Sequence, residues 1–187
     1  ADLLDLINVF PVADADTGSN LRISLAPLHR LDGGTDVTVK RLLASASGNS
    51  GNIVCGFFTA FIAENPSKDF FMAAKAGRDR AWQAVADPKP GTMLTVFDEL
   101  PAHFAIAAGN PWGVTYSALM KKLEQAVHTT ARTLPELAKA GVVDAGALGI
   151  YLFMEGFFAH LADRVGEFRP VTETFQQRLQ LPADFQP

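Results

Sequence analysis

Two aspartates, Asp14 and Asp16, stand one residue apart in the stretch Asn8–Asn20, which reads NVFPVADADTGSN. Carboxylates this close repel, and each raises the other's pKa unless a cation lies between them. One reading makes the pair oxygen ligands for Mg²⁺, which takes one or two carboxylates and completes its shell with phosphate oxygens and water. The other makes Asp16 or Thr17 the cap of a following helix and leaves Asp14 solvated. An EF-hand loop does not fit. With Asp14 as its first position, Ser19 stands where glycine is required and Leu25 where the bidentate glutamate belongs. Two carboxylates within one tripeptide are also poorly spaced to bracket a glycosidic bond.

Other chemistries leave little trace. No Gly-Lys pair exists to build a Walker A loop. GNSGN at 48–52 ends in Asn52 where a nucleophile elbow needs glycine. His29, His103, His128 and His160 form neither HExxH nor any short metal-binding pair. No GxGxxG follows a strand, which removes a Rossmann site. No general base stands out, so no catalytic side chain is assigned. The single cysteine, Cys55, excludes an internal disulfide framework, fits a reducing cytoplasmic setting, and reads as a small buried hydrophobe within NIVCGFF.

These residues must be held by helices. The chain of 187 residues is 48% hydrophobic with a net charge of −4, enough for a packed core and without the basic block a nucleic-acid binder needs. No segment reads as a signal peptide, and the start without methionine fits a trimmed terminus. The longest apolar runs, IVCGFFTAFIA and AGALGIYLFM, fall short of the roughly 18–20 residues that span a bilayer. Apolar spacing is helical nearly throughout. It predicts helices ending before Pro11, over Gly18–Leu31, over Thr38–Ala46, over Asn52–Ala63, and after Ser67 as an N-cap. Further helices follow Pro90, cover GVTYSALMKKLEQAVHTTARTLPELAKAG, and run from VVDAGALG to about Ala162. TDVTV at 35–39 is the best strand-like run, and it is short. The expectation is an all-α fold of about eight antiparallel helices, with residues 1–165 as the domain and 166–187 as a tail or linker. Glycines gather where helices open, at Gly18, Gly48, Gly51, Gly91, Gly146 and Gly149. Helix N-termini carry unpaired N–H groups and partial positive charge, so several of them at one end of a bundle would attract an anion.

LLDLINVFPVADADTGSN resembles the opening motif of the DAK2 (DhaL-like) family, the nucleotide-binding domain of dihydroxyacetone kinases and bacterial fatty acid kinases. SGNSGNIV, AVADPKPGTMLTV and LAKAGVVDAGALGIYL agree with further family motifs in the same order. The Asn-Val-Phe-Pro-Val lead-in is nearer the fatty-acid-kinase branch. The resemblance implies a barrel-like bundle that binds ATP and Mg²⁺ among the loops at one end. It implies Asp14 and Asp16 as metal ligands, with Asn8 as the nearest upstream candidate for a third. Thr17, Gly18, Ser19 and Asn20 match phosphate contacts, and Asn49, Ser50 and Gly51 match a second phosphate loop. Thr92 and Met93 match pocket-lining positions, and Asp144 with Gly146 matches a loop closing over the nucleotide.

The same resemblance implies phosphoryl transfer to an acceptor presented by a partner, either a fatty-acid-binding protein or a dihydroxyacetone-binding subunit, and leaves a homodimer open. Three departures bear on activity. Ala15 replaces a glycine between the aspartates, Ser47 stands where fatty acid kinases usually have Arg, and Asp87 where they often have Lys. They keep a second expectation alive, a nucleotide-binding regulatory module without turnover.

Overall fold

The computed structural model of the chain describes residues 1–10, 15–30, 32–107 and 109–181. Among these the fold is all-α: ten α-helices and two 3-10 turns, with no strand. The longer helices are α2 (Thr17–Leu25), α3 (Gly34–Ser45), α4 (Gly48–Ala63), α5 (Phe70–Trp82), α6 (Met93–Ala107), α7 (Trp112–Thr133) and α9 (Ala145–Leu161). Short α1 (Asp2–Leu6), α8 (Pro135–Ala140) and α10 (Val171–Thr174) link and brace them.

The pairings close into a ring. α2 packs on α4, α4 on α5, α5 on α6, α6 on α7, α7 on α9, and α9 returns to α2. α9 also touches α1 and α6, which suits a helix apolar on nearly every face, from Ala145 through Leu148, Ile150 and Met154 to Phe158. Its counterpart α4 buries Phe57 and Phe58, and Phe57 stacks on Phe97 of α6 with centroids 4.1 Å apart. Aromatic pairs in this range add about 0.5–1.5 kcal/mol beyond the area they bury. The α4–α5 contact is close because α5 offers Ala73, Ala74, Gly77 and Ala81 to it.

Several local expectations are corrected. TDVTV is helical, within α3, because Thr38 and Leu42 share the buried face at i, i+4 spacing and Thr38 Oγ1 donates to the Gly34 carbonyl. Asp69, not Ser67, caps α5, accepting from the Met72 N–H at 3.0 Å. α2 ends at Leu25 and tightens into a 3-10 turn over Ala26–His29, where Pro27 removes a backbone donor. The Leu31 end expected for it lies outside the described residues. Pro135 likewise separates α7 from α8, where one continuous helix was expected.

After α9 the chain crosses back over the bundle. Arg169 reaches Glu124 of α7 at 2.6 Å, Phe175 and Leu179 are each 1% exposed within the main core, and the Val143 N–H donates to the Arg178 carbonyl at 3.1 Å. No described helix is long and apolar enough to cross a membrane.

Candidate functional site

Because consecutive long helices run alternately up and down, every second one begins at the same end. α2, α4, α6 and α9 all open onto one cleft of about 340 Å³. Thr17 lines it from the first turn of α2, Asn49 and Ser50 from that of α4, Thr92 and Met93 from the start of α6, and Asp144 with Gly146 from the start of α9. Each helix start contributes roughly half a positive charge, so their gathering favours an anion. The other wall is apolar, built from Phe10, Ile53, Val85 and Leu94.

Asp144 organises the deepest part. It caps α9, accepting from the Ala147 N–H at 2.7 Å, and also accepts from the N–H groups of Gly146 and Met93. One carboxylate thus ties the starts of α9 and α6 together. Its own N–H donates to Thr130 Oγ1 of α7 at 2.9 Å. Burial (6% exposed) pushes its carboxyl up to about 7, against the pull of those three N–H donors. A Cβ on Gly146 would run into Met93 Cε, so a larger residue there would require the Met93 side chain to move.

Residues of the quoted motifs that do not line the cleft stand behind it. The Gly18 N–H donates to Asp5 Oδ1, and Ser19 donates to Asp5 through its N–H at 3.2 Å and its hydroxyl at 2.9 Å. Those donors at the α2 opening already serve a carboxylate from α1. Asn20 accepts from Ser47 Oγ at 2.8 Å, and Gly51 packs against Ser24. Ser47 thereby bridges α2 and α4. Asn8 is buried after α1, its N–H donating to the Asp5 carbonyl at 3.4 Å.

Of the aspartate pair, Asp14 lies outside the described residues. Asp16 is exposed, at the N-cap position of α2, and makes no side-chain cap bond. Ala15 between them has φ of 54°, a left-handed conformation that suits glycine and strains alanine. Among the described residues no three His, Cys, Asp or Glu side chains gather as a metal cage.

Phe10, Ile53, Val85, Leu94, Lys89 and Asp5 were not anticipated from the sequence. Lys89 carried a local signal, a cation between two prolines just before the quoted Gly-Thr. The Asp5 contact spans thirteen residues to Gly18 and has no local signature.

The chain belongs to the DAK2 domain family, whose model matches residues 11–159 and so spans Thr17 through Gly146. That family is kinase-related and nucleotide-binding. Protein YloV of Bacillus subtilis is 33% identical over 202 residues, covering 98% of this chain and 34% of that protein. An uncharacterized protein of Staphylococcus saprophyticus, SSP1546, is 33% identical over 178 residues, covering 86% of this chain and 32% of its own length. The MG369 homolog of Mycoplasma pneumoniae is 30% identical over 188 residues, covering 87% and 34%. The chain spans about a third of the length of the curated relatives it matches.

Proposed function

We propose that this chain is an ATP- and Mg²⁺-dependent phosphotransferase domain, working in the cytoplasm on an acceptor presented by a partner protein. The observation that carries the reading is the convergence of four helix starts on one cleft with an apolar opposite wall. That combination suits a ligand with a flat apolar base and a polyanionic tail. Phe10, Ile53, Val85 and Leu94 take the base, and the α4 opening at Asn49 and Ser50 faces the phosphates. The first N–H groups of α6 and α9 already serve Asp144, so those two helices contribute their dipoles alone. The α2 opening contributes through Thr17, since its Gly18 and Ser19 N–H groups are held by Asp5.

Asp14 and Asp16 would hold the Mg²⁺, with Asn8 nearby. A metal held there would supply positive charge that offsets the charge on the transferring phosphoryl group. An acceptor oxygen bonds to the γ-phosphorus as the bond from the γ-phosphorus to the β–γ bridging oxygen breaks, and ADP leaves. A fatty acid carboxylate needs no general base and yields an acyl phosphate. The hydroxyl of dihydroxyacetone must lose a proton, and the base then comes from the partner. The carboxylate is the favoured acceptor, because the chain's lead-in sequence is nearer the fatty-acid branch.

Calorimetric titration with a β,γ-imido analogue of ATP, with and without Mg²⁺, tests the binding half. Wild type is expected to bind only with Mg²⁺, and Asp16→Ala to lose most of that binding. Equal binding by the mutant would remove Asp16 from the metal site. Supplying a fatty-acid-loaded partner and ATP then tests turnover. Tight Mg²⁺-dependent binding with no ADP released would identify a regulatory nucleotide-binding module instead.

A further inference from the structure

Among the described residues lining the cleft, Lys89 is the cationic one. Its backbone is braced. Pro88 and Pro90 restrict the chain on either side, and the Lys89 carbonyl accepts from Thr92 Oγ1 at 2.8 Å, itself a cleft residue. Its side chain is free by comparison. The ammonium lies 2.9 Å from Asp87 Oδ2, and the two side chains are 45% and 76% exposed. An ion pair this open to water contributes little, so exchanging Asp87 for a stronger anion costs little. The base of the lysine is therefore fixed at the rim while its tip is parked on a partner it can leave.

We propose that Lys89 recognises the outer phosphates of a polyphosphate ligand, and that Asp87 holds the ammonium in reserve and competes for it. The assignment rests on reading the cleft as a nucleotide site. It makes Lys89 the residue that separates triphosphate from monophosphate, because the helix openings deep in the cleft serve the two alike. It also changes the meaning of Asp87, which becomes a brake on binding and not merely a lost cation.

The test is titration of the intact chain with the Mg²⁺ complex of β,γ-imido-ATP and, separately, with AMP. Lys89→Met is expected to weaken the imido-ATP complex about tenfold, the scale of one charge-assisted contact to phosphate, and to leave AMP unchanged. Lys89→Arg retains most of the affinity. Asp87→Asn strengthens imido-ATP binding about threefold, the scale of an exposed pair, and that gain disappears in the double variant with Lys89→Met. All four variants lie on an exposed rim and are expected to unfold at the wild-type urea midpoint. Equal losses for AMP and imido-ATP, or no loss, would overturn the assignment to the outer phosphates. A gain from Asp87→Asn that persists with Lys89→Met would overturn the competition. If wild type binds neither nucleotide, both this assignment and the nucleotide reading fall. Imido-ATP binding that ignores Lys89→Met removes only the assignment.

Discussion

Asp144→Asn separates the electrostatic cost of the site from its hydrogen bonding. The Asp144 carboxyl is moved from its ordinary 3.8 to about 7 by burial at the meeting point of α6 and α9. At about 1.4 kcal/mol per pH unit, holding it ionised in the fold costs about 4 kcal/mol relative to the unfolded chain. Because the folded value is the higher one, the contribution is favourable below pH 4 and is lost as pH rises through 7. Wild type should therefore lose about 4 kcal/mol against Asp144→Asn between pH 4 and pH 8. Asparagine keeps one acceptor for the Ala147 N–H but turns an amide toward the remaining donors, a penalty of about 1–3 kcal/mol that does not vary with pH. The offset and the slope are thus distinct observables. The assay is urea unfolding of both proteins at half-unit pH steps and constant ionic strength, without nucleotide. Stabilities that run parallel across this range would refute the burial argument for Asp144, whatever the offset.

Ala15→Gly relieves a left-handed alanine and should stabilise the chain by about 0.5–1 kcal/mol after the entropy glycine adds to the unfolded state, read as a higher urea midpoint. Gly91 has φ of +84°, and a Cβ there would lie 2.5 Å from Thr133 Cβ, so Gly91→Ala should cost about 2 kcal/mol or more in the same assay. His103 is buried, its Nε2 without a hydrogen-bond partner among the described residues, and burial and Lys122 lower its pKa from the ordinary 6.5. Stability should accordingly fall as pH drops below about 6.5, opposite in sign to the Asp144 effect, and His103→Leu should flatten that limb of the profile. Phe175→Ala removes a ring that is 1% exposed and should cost about 3–5 kcal/mol, seen as a lower melting temperature.

The all-α architecture was legible because the apolar spacing is helical almost everywhere, and the glycines near residues 18, 48, 91 and 146 do stand close to helix starts. Their convergence needed one further step, the alternation of helix direction around a closed ring, which no single motif encodes. TDVTV looks strand-like because of its β-branched residues, yet in the fold the Thr38–Leu42 spacing decides which face is buried, and the helix begins at Gly34, four residues before the expected start. Ser67 misled because Asp69, two residues later, offers a better acceptor to the first turn. Asp5 on the α2 opening and Phe10 on the cleft wall were not legible at all. Each acts across a loop, and only packing brings it to its partner.

The return of the chain over the bundle has a consequence for how firmly the site is held. Asp144 follows directly on Val143, whose N–H is held by the Arg178 carbonyl, and the core beneath is completed by Phe175 and Leu179. The loop that joins α8 to α9 is therefore fastened by residues synthesised more than thirty positions later. Thr130, which precedes Asp144 in the chain, holds only the Asp144 N–H. A chain ending before Arg169 should therefore keep that one tether, lose the Val143 tie and the Phe175 and Leu179 packing, and hold the start of α9 less firmly.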